Sequence, residues 1–292
     1  MKTNIRIKLI YFCLGIFFVY SAQGQGRVYP PAIQDAIVET YKTVDGVDLK
    51  VWIFQPEGHV ATDSDPAMLF FFGGGWINGT PGQFERQARV LKPRGMVGIL
   101  VDYRVADRHD TLPEHAVEDA KSAVRWVREH ATEYGIDTLR IGAAGGSSDG
   151  HLAASTATLP RFDRASEQQS ISSVPNALVL FNPVVIVAPV VGVWEMLDGM
   201  RGRMGRSELV DLSPYHHVTS ATPPTLIFHG TKDLVVPYST VLAYCDLVVK
   251  SGSECSLDSY QGAGHAFFNS SPYHEETIVE MQRFLETLDW IE

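Results

Sequence analysis

The sequence predicts an α/β protein in which a mostly parallel, twisted sheet carries helices on both faces. Short apolar runs without alternation, the pattern of strands buried on both faces, take turns along the chain with stretches of helical periodicity. These runs end at glycine-rich or polar segments, and the carboxyl ends of parallel strands form the ligand-binding edge of such sheets. With 45% hydrophobic and 20% charged residues among 292, the composition suits a globular protein with a sizeable core.

The expected elements begin with an antiparallel pair, because residues 36–54 alternate apolar and polar around a turn at Asp45-Gly46. Apolar runs then predict buried strands at residues 67–72, 96–103, 177–181 and 225–228. We also expect a short strand at residues 139–144 and a last strand at residues 255–260. Apolar residues spaced three and four apart predict helices between them, at residues 114–134, 152–158, 239–250 and 274–288. Strands that alternate with helices indicate a parallel sheet.

The N-terminus predicts a signal peptide over residues 1–24. Three basic residues precede an apolar run of about 12 residues, from Leu9 to Tyr20, and small residues follow it. A membrane span needs about 20 residues, so we expect cleavage after Gly24 and no stable membrane association afterwards. Cleavage takes the formal net charge from −10 to −13, because three basic and no acidic residues leave. This charge argues against a nucleic-acid partner and fits a secreted or periplasmic protein.

The remaining residues, 25–292, are expected to form one domain. Residues 184–220 carry Met and Trp side chains without clear periodicity, and form either a short lid or insertion, or an ordinary surface excursion that packs on the core. Cys245 and Cys255 either form a disulfide, as exported chains often do, or remain two buried thiols. The spacing in the sequence does not give the Cα distance that would decide.

The most informative motif lies in residues 139–154. A strand passes through Gly145 and Gly146 into two serines and a small-residue helix, which is the strand, sharp turn and helix that a G-x-S-x-G nucleophile requires. Small neighbours are needed because the strand and helix backbones approach closely at such a turn. Two registers fit, since the spacing from Gly146 selects Ser148 and the spacing from Gly145 selects Ser147.

Asp149 departs from this motif if Ser147 is the nucleophile, because a small residue belongs at that position. A carboxylate there can crowd the helix, and its charge can oppose an oxyanion. It can also point into solvent or hold a substrate hydroxyl, and the sequence leaves these alternatives open. Because of Asp149, a catalytically impaired binding protein with the same fold remains an alternative.

Three consecutive glycines follow the strand at residues 67–72. Such a loop lets backbone N–H groups face a tetrahedral oxyanion, and the residue after the nucleophile supplies another donor. We therefore expect the N–H groups of Gly74, Gly75 and, with Ser147 as the nucleophile, Ser148 to form an oxyanion hole. Trp76 follows the glycines directly, and we expect it to contact substrate.

An acid and a base come late in the chain. Asp233 lies in a turn after a buried strand, and His265 lies in a loop after the next strand. A serine, a histidine that takes its proton and an acid that orients the histidine form a hydrolytic triad, so we expect Asp233 and His265 to act with one of the two serines, Ser147 or Ser148. Asp198 and Asp211 are weaker candidates for the acid, because neither follows a buried strand.

Residues 145–154, Gly-Gly-Ser-Ser-Asp-Gly-His-Leu-Ala-Ala, resemble without a gap the Gly-Gly-Ser-Ala-Gly-Gly-His-Leu-Ala-Ala stretch of bacterial α/β-hydrolase esterases. This alignment places the nucleophile at Ser147. The three glycines resemble the His-Gly-Gly-Gly loop of esterases and lipases, with Phe72 in place of the histidine. The order serine, aspartate, histidine is also that of the α/β-hydrolases. The resemblance extends from Trp52 to the last helix and implies the α/β-hydrolase fold.

Within that superfamily the chain resembles secreted bacterial esterases of the acetyl-xylan-esterase and feruloyl-esterase-like group. The resemblance implies a serine carboxylic ester hydrolase that removes acyl groups, often acetyl, from a carbohydrate or other small ester through an acyl-enzyme. A small serine peptidase shares the fold and the residue order and is the alternative. We expect no metal and no cofactor, because the serine chemistry needs none and His216, His217 and His229 lack ligand spacing.

Overall fold

The computed structural model describes residues 29–195, 204 and 207–292. The chain divides into two units, Met1–Ala32 and Ile33–Glu292. The first is described only at residues 29–32, so the predicted signal peptide lies outside the described residues. The second contains all the helices and strands given below, and none of the described helices is long and apolar enough to span a bilayer.

One sheet of eight strands forms the centre of the described residues. The strands are β1 (Ile37–Val44), β2 (Val47–Phe54), β3 (Asp65–Phe71), β4 (Val97–Val101), β5 (Ile136–Gly146), β6 (Ala177–Phe181), β7 (Thr225–Gly230) and β8 (Cys255–Tyr260). Their order is β1-β2-β4-β3-β5-β6-β7-β8. The pairings of β2 with β1 and with β4 are antiparallel, and the other five are parallel. The predicted antiparallel start and mostly parallel sheet are confirmed.

Helices cover both faces of this sheet. They are α1 (Glu85–Arg89), α2 (Ala106–His109), α3 (Pro113–Glu129), α4 (Ser148–Thr158), α5 (Tyr238–Lys250) and α6 (Tyr273–Thr287). Successive side chains of β3 point to opposite faces, and they enter two separate apolar clusters. Leu69 and Phe71 pack with residues of α3, α4 and α5, whereas Met68 and Phe70 pack with residues of α1 and α6. The predicted α/β-hydrolase layers are therefore confirmed.

Two boundaries differ from the prediction in a way that matters for the site. The strand β5 continues to Gly146 instead of ending at residue 144, and α4 begins at Ser148 instead of residue 152. The glycines after residue 142 weaken the apolar pattern of a strand, although the backbone remains extended through them. As a result Ser147 alone separates β5 from α4. The short α1 and α2 are missed by the sequence because they span too few residues for periodicity.

The stretch 184–220 is only partly described. Val190 and Trp194 form an isolated antiparallel bridge, and Pro214–His217 is a 3₁₀ turn. Residues 196–203, 205 and 206 lie outside the described residues, so the lid remains a prediction. Cys245 on α5 and Cys255 at the start of β8 form a disulfide, with Cα atoms 5.4 Å apart. The structure therefore contains the disulfide and not two buried thiols.

Candidate active site

Ser147 stands on a sharp turn between strand and helix. Its backbone has φ 60° and ψ −121°, a conformation with positive φ that is uncommon for any residue but glycine. Its N–H donates to the Phe181 carbonyl at 2.9 Å, and its carbonyl accepts from the Val184 N–H at 3.0 Å. The turn is so tight that a Cβ on Gly145 would lie 2.3 Å from the Asp149 carbonyl oxygen. These contacts hold the serine at the carboxyl end of β5.

Three side chains from the ends of three strands form one hydrogen-bonded chain. His265, in the loop after β8, has its Nε2 2.9 Å from Ser147 Oγ. Its Nδ1 lies 2.7 Å from Asp233 Oδ2, in the turn after β7. The structure thus brings together the three residues that the sequence proposed as a triad. Ser148, the rival nucleophile, directs its hydroxyl to Asp149 instead.

The carboxylate of Asp233 is buried and fully engaged. Its Oδ1 accepts the N–H groups of Val235 and Val236, both at 2.8 Å. Burial alone would raise the pKa of Asp233, but the hydrogen bonds from His265 and from these N–H groups outweigh it and hold the pKa below its usual value. The carboxylate is therefore ionised at neutral pH, as a partner that must stabilise an imidazolium requires.

Asn182 fixes the loop that carries the histidine. It follows β6, is fully buried and has φ 37°. Its Oδ1 accepts the N–H of Ala266, the residue after His265, at 3.0 Å. Its own N–H donates to the Phe228 carbonyl at 2.7 Å. Sequence reasoning missed this residue, although an asparagine directly after a buried strand was a signal that could have marked it.

The glycine loop faces the first turn of α4. The N–H of Gly75 donates to Ser148 Oγ at 2.8 Å, and that of Gly74 to the same oxygen at 3.3 Å. Gly73 donates its N–H to the Gln83 side chain. The N–H of Ser148 lies in the first turn of a helix, where such groups have no acceptor inside the helix. The three predicted oxyanion donors are thus neighbours, and their role remains a prediction.

Trp76 is more buried than a substrate contact requires. Its backbone has φ 59°, its carbonyl accepts the Ala106 N–H at 3.0 Å, and 7% of the residue is exposed. Its ring meets the ring of His151 edge-on, with 5.2 Å between centroids. Burial lowers the pKa of His151 to about 4, so this histidine is neutral. Only a small edge of Trp76 is left for substrate, and its predicted role stays a prediction.

Asp149 does not point into solvent. It is fully buried, its Oδ2 accepts the hydroxyl of Ser148 at 2.7 Å, and its Oδ1 contacts the hydroxyl of Tyr103. Burial raises the pKa of Asp149 well above its usual value, and the two hydrogen bonds reduce that rise. The carboxyl group thus lies inside the protein, next to the sharp turn at Ser147, which we call the elbow.

The other titratable candidates lie elsewhere or serve other contacts. Asp211 pairs with Arg161 at 2.6 Å, and Asp198 lies outside the described residues. His59, Asp63 and Asp65 have potential metal-ligand atoms within 4.8 Å of one another. Asp65 begins β3, so this group lies at the opposite edge of the sheet from the glycine loop. The ring nitrogens of His59 contact the Asp65 carboxylate and the Tyr134 carbonyl.

Two models of known protein families match this chain, and one of them covers more than half of it. The BD-FAE family model matches residues 53–244, and the dienelactone hydrolase family model matches residues 210–292. Among solved structures, the apo form of Thermogutta terrifontis esterase 2 is 42% identical, with a TM-score of 0.86, over 91% of this chain and 99% of that one. The same esterase phosphonylated by sarin is 40% identical, with a TM-score of 0.87, over 90% and 99% of the two chains.

Curated relatives are more distant and longer. Esterase LipC of Mycobacterium tuberculosis is 30% identical over 219 residues, which cover 70% of this chain and 54% of the relative. An acetylxylan esterase of Xylanibacter ruminicola is 26% identical over 205 residues, covering 68% of this chain and 40% of the relative. The chain thus spans about half the length of the curated relatives it matches.

Proposed function

The chain belongs to the BD-FAE family, and we propose that it is a serine carboxylic ester hydrolase that works through an acyl-enzyme. The hydrogen-bonded chain from Ser147 Oγ through His265 to Asp233 carries this proposal. A serine on a strained turn, a histidine within 2.9 Å and a buried ionised acid behind it are the parts that acyl transfer requires. The solved esterases with 40% identity or more over nearly their whole length support the same chemistry.

In the proposed first half-reaction, Ser147 Oγ attacks the ester carbonyl while His265 Nε2 takes the serine proton. Asp233 holds the ring through Nδ1 and stabilises the imidazolium that forms. The tetrahedral intermediate collapses, the bond to the alcohol breaks, and His265 returns the proton to the leaving oxygen. In the second half, His265 takes a proton from water, the hydroxide attacks the acyl-enzyme, and Ser147 recovers its proton as the acid leaves.

The oxyanion formed in both halves faces backbone donors. The contact from Gly75 to Ser148 Oγ is short, whereas the one from Gly74 is longer. We therefore assign Gly75 mainly to holding the loop, and Gly74 with the N–H of Ser148 to binding the oxyanion. Preorganised donors of this kind typically contribute 10²- to 10³-fold each to kcat.

The acyl group we propose is short, with acetyl on a carbohydrate hydroxyl as the first candidate. A cavity of about 20 Å³ lies between residues that follow β6 and β7, lined by Val184, Ile186, Trp194, Val235, Val236, Pro237 and Thr240. A volume of 10–15 Å³ holds about one water, so this space suits a methyl-sized group. Two of its lining residues adjoin the triad, because the N–H of Val184 donates to the Ser147 carbonyl and that of Val236 to the Asp233 carboxylate. The structural relative has been solved with propionate and with butyrate, and one distant relative is an acetylxylan esterase.

The test compares the mature protein with Ser147→Ala and Ser148→Ala on p-nitrophenyl acetate, butyrate and octanoate. Ser147→Ala should lose hydrolysis to the background rate, because no other described side chain takes its place at His265. Ser148→Ala keeps the nucleophile and should retain hydrolysis well above background, at a reduced rate because the glycine N–H groups lose their acceptor. Acetate should be preferred over octanoate. Equal rates for wild type and Ser147→Ala would reject the proposal. Release of acetate from acetylated xylan, without release of propionate or ferulate from the propionylated or feruloylated analogue, would fix the substrate class.

We also propose that the protein is exported. The predicted signal over residues 1–24 and the disulfide between Cys245 and Cys255 support this, because structural disulfides persist in oxidising compartments. Mass spectrometry of protein recovered from the periplasm or the medium should find an N-terminus at Gln25. An intact N-terminus on cytoplasmic protein would contradict export.

A further inference from the structure

The hydroxyl of Tyr103 contacts two oxygens that both accept hydrogen bonds. One is the carbonyl of Phe72, at 2.7 Å, and the other is Oδ1 of Asp149. A phenol has one hydrogen, and a carbonyl has none. If Tyr103 gives its hydrogen to Phe72, the hydrogen between Tyr103 and Asp149 has to come from Asp149.

The other carboxyl oxygen has a donor already. Ser148 gives its hydroxyl hydrogen to Asp149 Oδ2 at 2.7 Å, and Ser148 Oγ accepts the N–H of Gly75 and of Gly74. A protonated Asp149 completes a series in which each hydrogen has one donor and one acceptor. The series starts at the glycine N–H groups and ends at the carbonyl of Phe72, so it joins both ends of the glycine loop to α4.

We propose that Asp149 is a neutral carboxylic acid at the working pH and that it positions the glycine loop against Ser148, the residue after the nucleophile. The proposal rests on the proposed function, because it concerns the donors that would bind the oxyanion. Asp149 touches no reacting atom, so it is a positioning residue. Because Asp149 is neutral, no buried carboxylate charge next to the elbow opposes the oxyanion.

The surroundings favour the neutral form. Asp149, Tyr103 and Ser148 are each at most 1% exposed, and an ionised carboxyl group in such a place is strongly disfavoured. Burial raises the pKa of Asp149 and of Tyr103, and the nearness of the two groups raises that of Tyr103 further.

Charged groups on the neighbouring elements have other partners. Asp102 and Arg108, which follow β4, contact each other at 3.5 Å beside Tyr103. On α3, Asp119 is paired with Arg104 and Lys42, and Lys121 with Asp163. His151 on α4 itself is neutral. Among the described residues, no cation forms a salt bridge with Asp149 that would compensate its charge.

Ionisation of Asp149 should therefore damage the loop. Without its hydrogen, Asp149 and Phe72 compete for the single hydrogen of Tyr103, and a negative charge lies close to the glycine donors. We expect kcat to fall as alkaline pH removes the proton. Asp149→Asn keeps the same links, because its NH₂ can donate to Tyr103 and its carbonyl oxygen can accept from Ser148, and it cannot ionise.

The experiment measures kcat from neutral to alkaline pH for wild type, Asp149→Asn and Asp149→Ala, with the rate of Ser147→Ala subtracted. Wild type should show an alkaline loss that Asp149→Asn lacks, and Asp149→Ala should be about tenfold or more slower throughout, since displaced oxyanion donors reduce kcat. An infrared difference spectrum of wild type minus Asp149→Asn should contain the carbonyl band of a protonated carboxylic acid at neutral pH.

The outcomes separate the two proposals. A carboxylate band at neutral pH, or an alkaline loss that is the same in Asp149→Asn, would overturn the role of Asp149 while the esterase activity stands. A wild-type protein that hydrolyses no ester would reject the proposed function, and the infrared band would still decide the protonation. If Asp149→Ala does not fold, the spectrum and the profile of Asp149→Asn decide alone.

Discussion

Oδ1 of Asp149 contacts the hydroxyl of Tyr103, which lies 46 positions earlier in the chain. Asp149 is the residue by which the serine motif departs most from a pattern of small side chains. Tyr103 comes from the end of β4, two strands away from β5 in the sheet. The unusual carboxyl group of Asp149 thus has a hydrogen-bonding partner in Tyr103 from another segment, and the elbow at Ser147 keeps its sharp turn.

Asp233→Asn should lower kcat by about 10⁴-fold, because an amide in place of the carboxylate favours the wrong tautomer of His265 and does not stabilise its cation. Asp211→Asn is the matched control. Asp211 pairs with the exposed Arg161 and should leave the hydrolysis of p-nitrophenyl butyrate unchanged. A large loss in Asp211→Asn with little in Asp233→Asn would reverse the assignment of the acid.

Asn182→Ala should lower kcat by about 10- to 100-fold with a smaller change in KM, because the loop of His265 loses the acceptor for the Ala266 N–H. A displacement of about 1 Å can reduce a rate by about 10²-fold. Asn176→Ala removes another asparagine, whose Oδ1 accepts the Ile141 N–H at 3.2 Å on β5. That variant should alter stability but not kcat. Equal kinetic effects in both variants would argue against a positioning role for Asn182.

His151 should make stability depend on pH in a defined window. Burial lowers its pKa from the usual 6.5 to about 4, so between these values the unfolded chain binds a proton that the folded chain does not. Stability therefore falls as the pH falls through this window, by roughly 3 kcal/mol in total. Urea unfolding at several pH values should give a steeper dependence for wild type than for His151→Gln. Parallel curves would contradict the prediction.

Loss of the disulfide should affect stability and not chemistry. The bond closes a short loop, with a sequence separation of 10, for which chain entropy predicts about 3 kcal/mol of stabilisation. Cys255 lies at the start of β8, whereas His265 follows its other end. The variant with both cysteines changed to serine should therefore unfold at lower urea concentration and keep its kcat. Dithiothreitol should destabilise wild type by a similar amount and leave the variant unaffected.

Much of the fold is predictable because its signals are local. The buried strand β6 begins and ends where its apolar run does, and the less buried β8 has the predicted bounds. The glycines, Asp233 and His265 follow strands that the sequence identifies. Parallel strands place their carboxyl ends at one edge, so the expected gathering of these residues needs only the order of the elements. The boundaries around Ser147 were less accurate, because small residues carry little hydrophobic pattern.

The sequence by itself determined the α/β class, the mostly parallel sheet and the three loops that meet at its edge. The residue pattern left Ser147 and Ser148 open, because the two are neighbours in the chain. Only the tertiary structure decided which hydroxyl faces His265, since the histidine comes 118 residues later. It also decided the disulfide and the surroundings of Asp149. Hydrogen bonds and burial depend on distances between segments that are far apart in the chain, and local pattern does not contain those distances.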